Sequence, residues 1–142
     1  MAAVGATCSG DHVIVQGGFG EARFTVELAD DPSEQAQGLM HREQMASSAG
    51  MLFVFEAPKR TAFWMKNTLI PLDMIFVDQA GTITHIHENA IPHDETPILG
   101  GDDVFAVLEI NGGLSARFGF SLGDTLVHPA FSGANENNLC TP

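Results

Sequence analysis

The pattern that most constrains this chain is the alternation Arg23-Phe24-Thr25-Val26-Glu27-Leu28. A period of two places every second side chain on one face only in an extended strand, so Phe24, Val26 and Leu28 are expected to face a core and Arg23, Thr25 and Glu27 water. Short apolar segments recur at residues 13–16, 51–56, 62–66, 72–77, 82–87, 104–110 and 125–128. Turn-forming clusters separate them: Gly17-Gly18, Pro58-Lys59-Arg60, Asp78-Gln79-Ala80-Gly81 and Asn111-Gly112-Gly113. The 72–77 and 82–87 segments read as a hairpin, and 51–56 with 62–66 as a second strand pair turning at Pro58. Helix signals are confined to two places. Asp31-Pro32-Ser33-Glu34 offers a capping side chain, a proline at the first helical position and an acid in the first turn, for a helix running to about Leu39. Residues 114–118 form a short helical turn. The prediction is an all-β fold, a single compact sandwich, jelly-roll-like domain or barrel with one or two short helices; parallel βαβ architecture is disfavoured because the helices are too few. Residues 88–103, with two prolines, two glycines and five acids, read as a long surface loop and as the rim of any cleft.

The 142 residues suffice for one domain with its own core. The expected organisation is an N-terminal tail at 1–12, a β-rich domain at 13–131 and a C-terminal tail at 132–142. Charge excludes several partners. Six Lys plus Arg against 18 Asp plus Glu give a net charge of −12, so a nucleic acid lacks the clustered cations that phosphates require, and an anionic membrane surface is equally disfavoured. No apolar run approaches the ~18 residues that insertion in a membrane demands. The two cysteines, Cys8 and Cys140, stand in the tails and show no metal-ligand or C-x-x-C spacing. A disulfide stapling the tails is expected, and with it an oxidising compartment, periplasmic or extracellular. The segment Ala2-Ala3-Val4-Gly5-Ala6-Thr7 has neither a basic region nor an apolar stretch; it is read as the beginning of a mature chain left by cleavage of an export signal, with Cys8 as a lipid-attachment remnant the alternative.

The P-loop, G-x-S-x-G, H-E-x-x-H and EF-hand signatures are absent, as is G-x-G-x-x-G after a strand. No cofactor is called for. The most informative stretch runs from Phe63 to Met74. In a strand, Trp64 and Lys66 share a face. Asp73 lies in an apolar segment, where a lone carboxylate is costly unless paired, with Lys66 or Arg42 as the expected partner; Glu109 poses the same problem. Arg42, Trp64, Lys66, Asn67, Asp73 and Glu109 are therefore the candidate polar end of a ligand pocket. Metal readings are weaker: His85 and His87, two apart on a strand, with His93 and Asp94 beyond; the thioethers Met40, Met51, Met65 and Met74; or the acids Asp94, Glu95, Asp102 and Asp103. A polar strand face, core packing and a solvated loop explain these groups.

Gly38-Leu39-Met40-His41-Arg42, Gly50-Met51-Leu52-Phe53-Val54-Phe55, the block from Phe63 to Asp73, Val107-Leu108-Glu109 and Gly123-Asp124 resemble, in order, the signature blocks of the domain of unknown function 192 family. The motif positions implied here are Gly38, Met40, Arg42, Gly50, Met51, Phe53, Trp64, Lys66, Asn67, Thr68, Pro71, Asp73 and Glu109. The resemblance implies a compact β-rich domain, often exported, and supplies no catalytic assignment. The function expected from the residues is non-catalytic binding of a small molecule, a carbohydrate first among candidates, or of a protein partner. The alternatives are an acid/base hydrolase or lyase using Asp73 or Glu109, with Lys66 or Arg42 stabilising an anion, and a purely structural module.

Overall fold

The computed structural model describes residues 10–131. Cys8, Cys140 and both outer tails lie outside the described residues. Among the described residues there are nine strands: β1 (His12–Gly17), β2 (Gly20–Ala29), β3 (Ala49–Lys59), β4 (Ala62–Phe63), β5 (Leu72–Val77), β6 (Ile83–Ala90), β7 (Ile98–Leu99), β8 (Val104–Asn111) and β9 (Thr125–Val127). Two short helices accompany them, α1 (Pro32–Gln37) and α2 (Leu114–Phe118), with a final 3-10 turn at Pro129–Phe131. The all-β expectation holds. Seven strands form one sheet in the order β6-β5-β8-β3-β2-β1-β9, curled into a half-barrel whose outermost strands approach at one end. There Thr82 bridges Thr125, and the Leu126 N–H donates to the Gly81 carbonyl at 2.8 Å.

The curl divides the apolar residues in two. Val13, Val15, Phe24, Val26, Leu52, Ile75 and Leu108 pack on the concave face. Phe53, Phe55, Met74, Phe76 and Val107 pack on the convex face, beneath Leu39, Phe63, Met65 and Ile98. Strand parity produces this split: along β3, Met51, Phe53 and Phe55 fall outside while Leu52 and Val54 fall inside. Strands buried on both faces read as continuous apolar runs, as β5 and β8 do.

Three local expectations are corrected. First, β2 and β3 are parallel, in register from Thr25↔Ala49 to Ala29↔Phe53, so one βαβ crossover exists, carried by α1. Second, β4 pairs with β7; residues 51–56 and 62–66 do not form a hairpin, because β3 runs on through Pro58 to Lys59. A register shift between Val54 and Lys59 against β8 accommodates the proline, which has no N–H to give the ladder. Third, residues 88–103 are not all loop, since β6 continues to Ala90 and Ile98–Leu99 forms β7. The β5–β6 hairpin and the helix at 114–118 stand where the sequence puts them.

Candidate functional site

On the convex face, the β2–α1–β3 crossover and the β3–β4 connection roof a cavity of about 420 Å³. Its upper wall is the run from Gln35 to Met40. Most of that wall comes from α1 and its C-terminal cap; Asp31 caps the start of the helix by accepting the Glu34 N–H at 2.8 Å, with Pro32 in the first turn. Gly38 ends the helix at φ 49°, and a Cβ there would stand 3.2 Å from Phe53 Cζ, so glycine lets the crossover lie close over the sheet. The inner wall is Phe53, Phe55, Phe63 and Leu72. Phe63 meets Phe53 edge-on at 5.1 Å and Phe76 at 5.9 Å between ring centroids, which fixes the aromatic wall.

Two polar side chains of the lining have no hydrogen-bond partner within the described residues. Glu109, on β8, is only 4% exposed and lines the cavity. Its register neighbours are Met51 on β3 and Met74 on β5, so thioethers flank the carboxyl. Among the described residues it has no ion pair or hydrogen bond. Burial, with no compensating charge, pushes its carboxyl up to about 8, leaving it largely protonated at neutral pH. Thr61, 6% exposed, lines the same space, and its Oγ1 is buried without a partner.

The rim is cationic. Lys59 and Arg60 line the cavity; the Lys59 ammonium lies 4.5 Å from the Phe55 ring centroid, and Arg60 Nε lies 3.7 Å from Asp102. Trp64, 47% exposed, also lines it, with Lys66 Nζ 5.1 Å from the indole. Cross-loop bonds hold this edge. The Met65 N–H donates to the Asp94 carbonyl at 2.7 Å, the His93 N–H to the Thr68 carbonyl at 3.1 Å and the His41 N–H to the Asn67 carbonyl at 2.8 Å.

The structure separates the six residues that the sequence grouped. Trp64 and Glu109 line the cavity, and Lys66 stacks on Trp64. Arg42 instead forms a two-pronged ion pair with Glu27 on β2. The guanidinium holds the Glu27 carboxyl below its usual range, chiefly by hydrogen bonding. Asn67 is exposed in a tight turn at φ 55°. Asp73 pairs with neither Lys66 nor Arg42. Its register neighbour is Ile110, not Glu109, so the two acids occupy opposite faces of the sheet. There Asp73 is fully buried and accepts four hydrogen bonds: from the backbone of Asn89 at 2.8 Å, Gly113 at 2.9 Å and Ser115 at 2.8 Å, and from Ser115 Oγ at 2.6 Å. It ties the end of β6 to the start of α2, whose N-cap Gly113 has no side chain to offer.

The histidines lie elsewhere. His85 packs on Phe76 at 5.5 Å, and His87 stands opposite Met74. Among the described residues, the trio of acids or histidines close enough to share an ion is Asp30, Asp31 and Glu34. Two of these carboxylates cap α1: Glu34 Oε1 accepts the Asp30 N–H at 3.2 Å, reciprocal to the bond from the Glu34 N–H to Asp31, and all three side chains are exposed.

Thr61, Lys59 and Arg60 were not among the residues the sequence singled out. Lys59-Arg60 read there as turn residues; adjacent cations in a chain holding six were the available signal. A threonine hydroxyl carries no signal of its own.

The fold and site define a small half-barrel domain with a roofed convex-face cavity. The chain matches the DUF192 family, described as "Uncharacterized ACR", over residues 13–128, and it is a member of that family. A protein of unknown function from Novosphingobium aromaticivorans is similar in structure, with a TM-score of 0.80 at 46% identity over 81% of this chain and 82% of the other. A protein from Sinorhizobium meliloti described as a "putative transcription regulator" gives a TM-score of 0.81 at 48% identity, covering 84% of this chain and 93% of that one. Among curated proteins, none matches the chain. Of the signature positions, Gly38, Met40, Phe53, Trp64, Thr68 and Glu109 line the cavity.

Proposed function

We propose that this protein is a small-molecule-binding domain whose site is the cavity above Glu109. The observation that carries the reading is a pair of polar groups in the cavity lining that have no partner among the described residues, the nearly buried Glu109 carboxyl and the buried Thr61 Oγ1, beside phenylalanine walls. An unpaired buried polar group costs free energy that packing alone does not return, so a bound molecule able to pair with it recovers that cost. The volume lies within the range typical of small-molecule sites. Phenylalanine walls favour an apolar body over a carbohydrate.

The test is a set of ¹H–¹⁵N spectra recorded during titration with indole, 3-phenylpropanoate and D-glucose. Saturable shifts centred on the amides of Gly38, Phe53, Thr61 and Glu109, from either aromatic probe, are expected. Absence of saturable shifts there from all three would overturn the reading.

A second reading, acid/base chemistry, is favoured by one observation: Glu109 is a cavity-facing carboxyl that retains its proton near neutrality and is therefore suited to donate it. Asp73 offers no such service, with both oxygens engaged on the opposite face. Turnover of a bound probe that ceases in Glu109→Gln while binding persists would establish this chemistry; binding without turnover keeps the domain a receptor. The regulator label of the S. meliloti protein is not extended to this chain, because a net charge of −12 opposes binding to phosphates. No described helix is long and apolar enough to cross a membrane. Action in an oxidising, exported setting is proposed from the two tail cysteines and the strong acidity.

A further inference from the structure

The distribution of cations in this chain is uneven. Of Arg23, Arg42, Lys59, Arg60, Lys66 and Arg117, Lys59 and Arg60 line the cavity and Lys66 lies against its tryptophan. A strongly acidic protein thus places half of its Lys and Arg side chains at or beside one opening. The acid paired with this edge is Asp102, opposite Arg60 at 3.7 Å; both side chains are largely exposed, so their attraction is weak and leaves Arg60 able to turn to another anion. Lys59 is held over the Phe55 face, which positions its ammonium at the edge of an aromatic wall. The lining therefore combines three elements: exposed cations, aromatic rings and two polar groups, Glu109 and Thr61, without partners among the described residues.

We propose that the ligand is a compact organic anion with an apolar, ring-like body. Its anionic group lies at Lys59 and Arg60, its body against Phe53, Phe55 and Phe63, and a hydroxyl on that body pairs with one of the two unpartnered groups, the Glu109 carboxyl or Thr61 Oγ1. A hydroxyl suits either group because it both donates and accepts, as a protonated carboxyl and a threonine hydroxyl each do. A cationic ligand meets like charge at the rim, and a neutral one leaves the rim cations unused. This inference rests on the cavity being a binding site, as argued above.

The experiment compares four probes by titration: 3-(4-hydroxyphenyl)propanoate, 3-phenylpropanoate, 3-(4-hydroxyphenyl)propanamide and 4-hydroxyphenethylamine. The hydroxylated acid is expected to bind tightest. Loss of the hydroxyl or replacement of the carboxylate by the amide each weakens binding about tenfold, and the amine binds weakest. In the double variant Lys59→Ala with Arg60→Ala, both residues exposed, the preference for acid over amide disappears while amide binding persists. Should that variant fail to fold, the ranking of the four probes on the unaltered protein decides. Equal binding of acid and amide, or tightest binding of the amine, would overturn the ligand class and leave the cavity standing as a site. Binding of none of the four would remove both.

Discussion

Asp73 and Glu109 share one sequence description, a lone acid in an apolar strand, and have opposite fates. Asp73 is satisfied by four donors, whereas Glu109 is satisfied by none. Asp73→Asn turns one of its two acceptor oxygens into a donor facing N–H groups, so the variant is expected to lose about 3 kcal/mol or more in denaturant unfolding, whatever ligand is present. A loss below about 1 kcal/mol would contradict its role as the tie between β6 and α2. Glu109→Gln gives a pH signature. Below pH 4.5 the carboxyl is protonated both folded and unfolded; between 4.5 and about 8 the unfolded chain releases the proton and the folded one keeps it. The natural protein therefore loses stability relative to the Gln variant as pH rises through that interval, by at most about 1.4 kcal/mol per pH unit, and the gap stops growing above it. A gap independent of pH between 5 and 8, measured by urea unfolding, would show the carboxyl to be unperturbed. Both acids were visible in the sequence as anomalies. Their separation was not, because the face of each depends on register with strands distant in the chain.

Elements defined by local chemistry were the legible ones. The β5–β6 hairpin is joined by a turn that Asp78 stabilises through its own side chain, accepting from the Ala80 and Thr82 N–H groups at 3.0 Å each. The helix at Leu114–Phe118 lies between Gly113 and Gly119, both at positive φ. The β4–β7 pair and the parallel β2–β3 contact were not legible, since neither turn residues nor periodicity specify a partner far along the chain. One glycine shows how closely the central elements meet. A Cβ on Gly50 would stand 2.5 Å from the Glu109 carbonyl oxygen, a backbone atom that cannot rotate away. Gly50→Ala is thus expected to cost about 1–3 kcal/mol in thermal or urea unfolding and to displace β8 where it carries Glu109. An alanine variant of unchanged stability would mean that β3 and β8 are looser than their register implies.

For the molecule as a whole, the described ends meet. β1 pairs with β9 from Ile14↔Val127 to Gln16↔Thr125, and His128 Nε2 lies 2.9 Å from the Gly10 carbonyl oxygen. The proposed disulfide between Cys8 and Cys140, which lie outside the described residues, rests on their place in the two tails of the sequence. Mass spectrometry of oxidised, unreduced protein is expected to show a mass two hydrogens below that of reduced protein; two alkylatable thiols in oxidised material would contradict it. The all-β class with two short helices followed from the sequence pattern; the half-barrel curl and the burial of both its faces did not. The cavity did not, because it is made where a crossover helix, a strand bulge and a distant two-residue strand converge. The account stands on Glu109 being a neutral, cavity-facing carboxyl that a ligand reaches. Carbon-13 NMR of the Glu109 side-chain carboxyl, followed across pH with and without 3-(4-hydroxyphenyl)propanoate, measures this directly. The expected result is titration near 8 in the free protein and a further upward displacement on addition of the probe; titration near 4.5, unmoved by the probe, would contradict it.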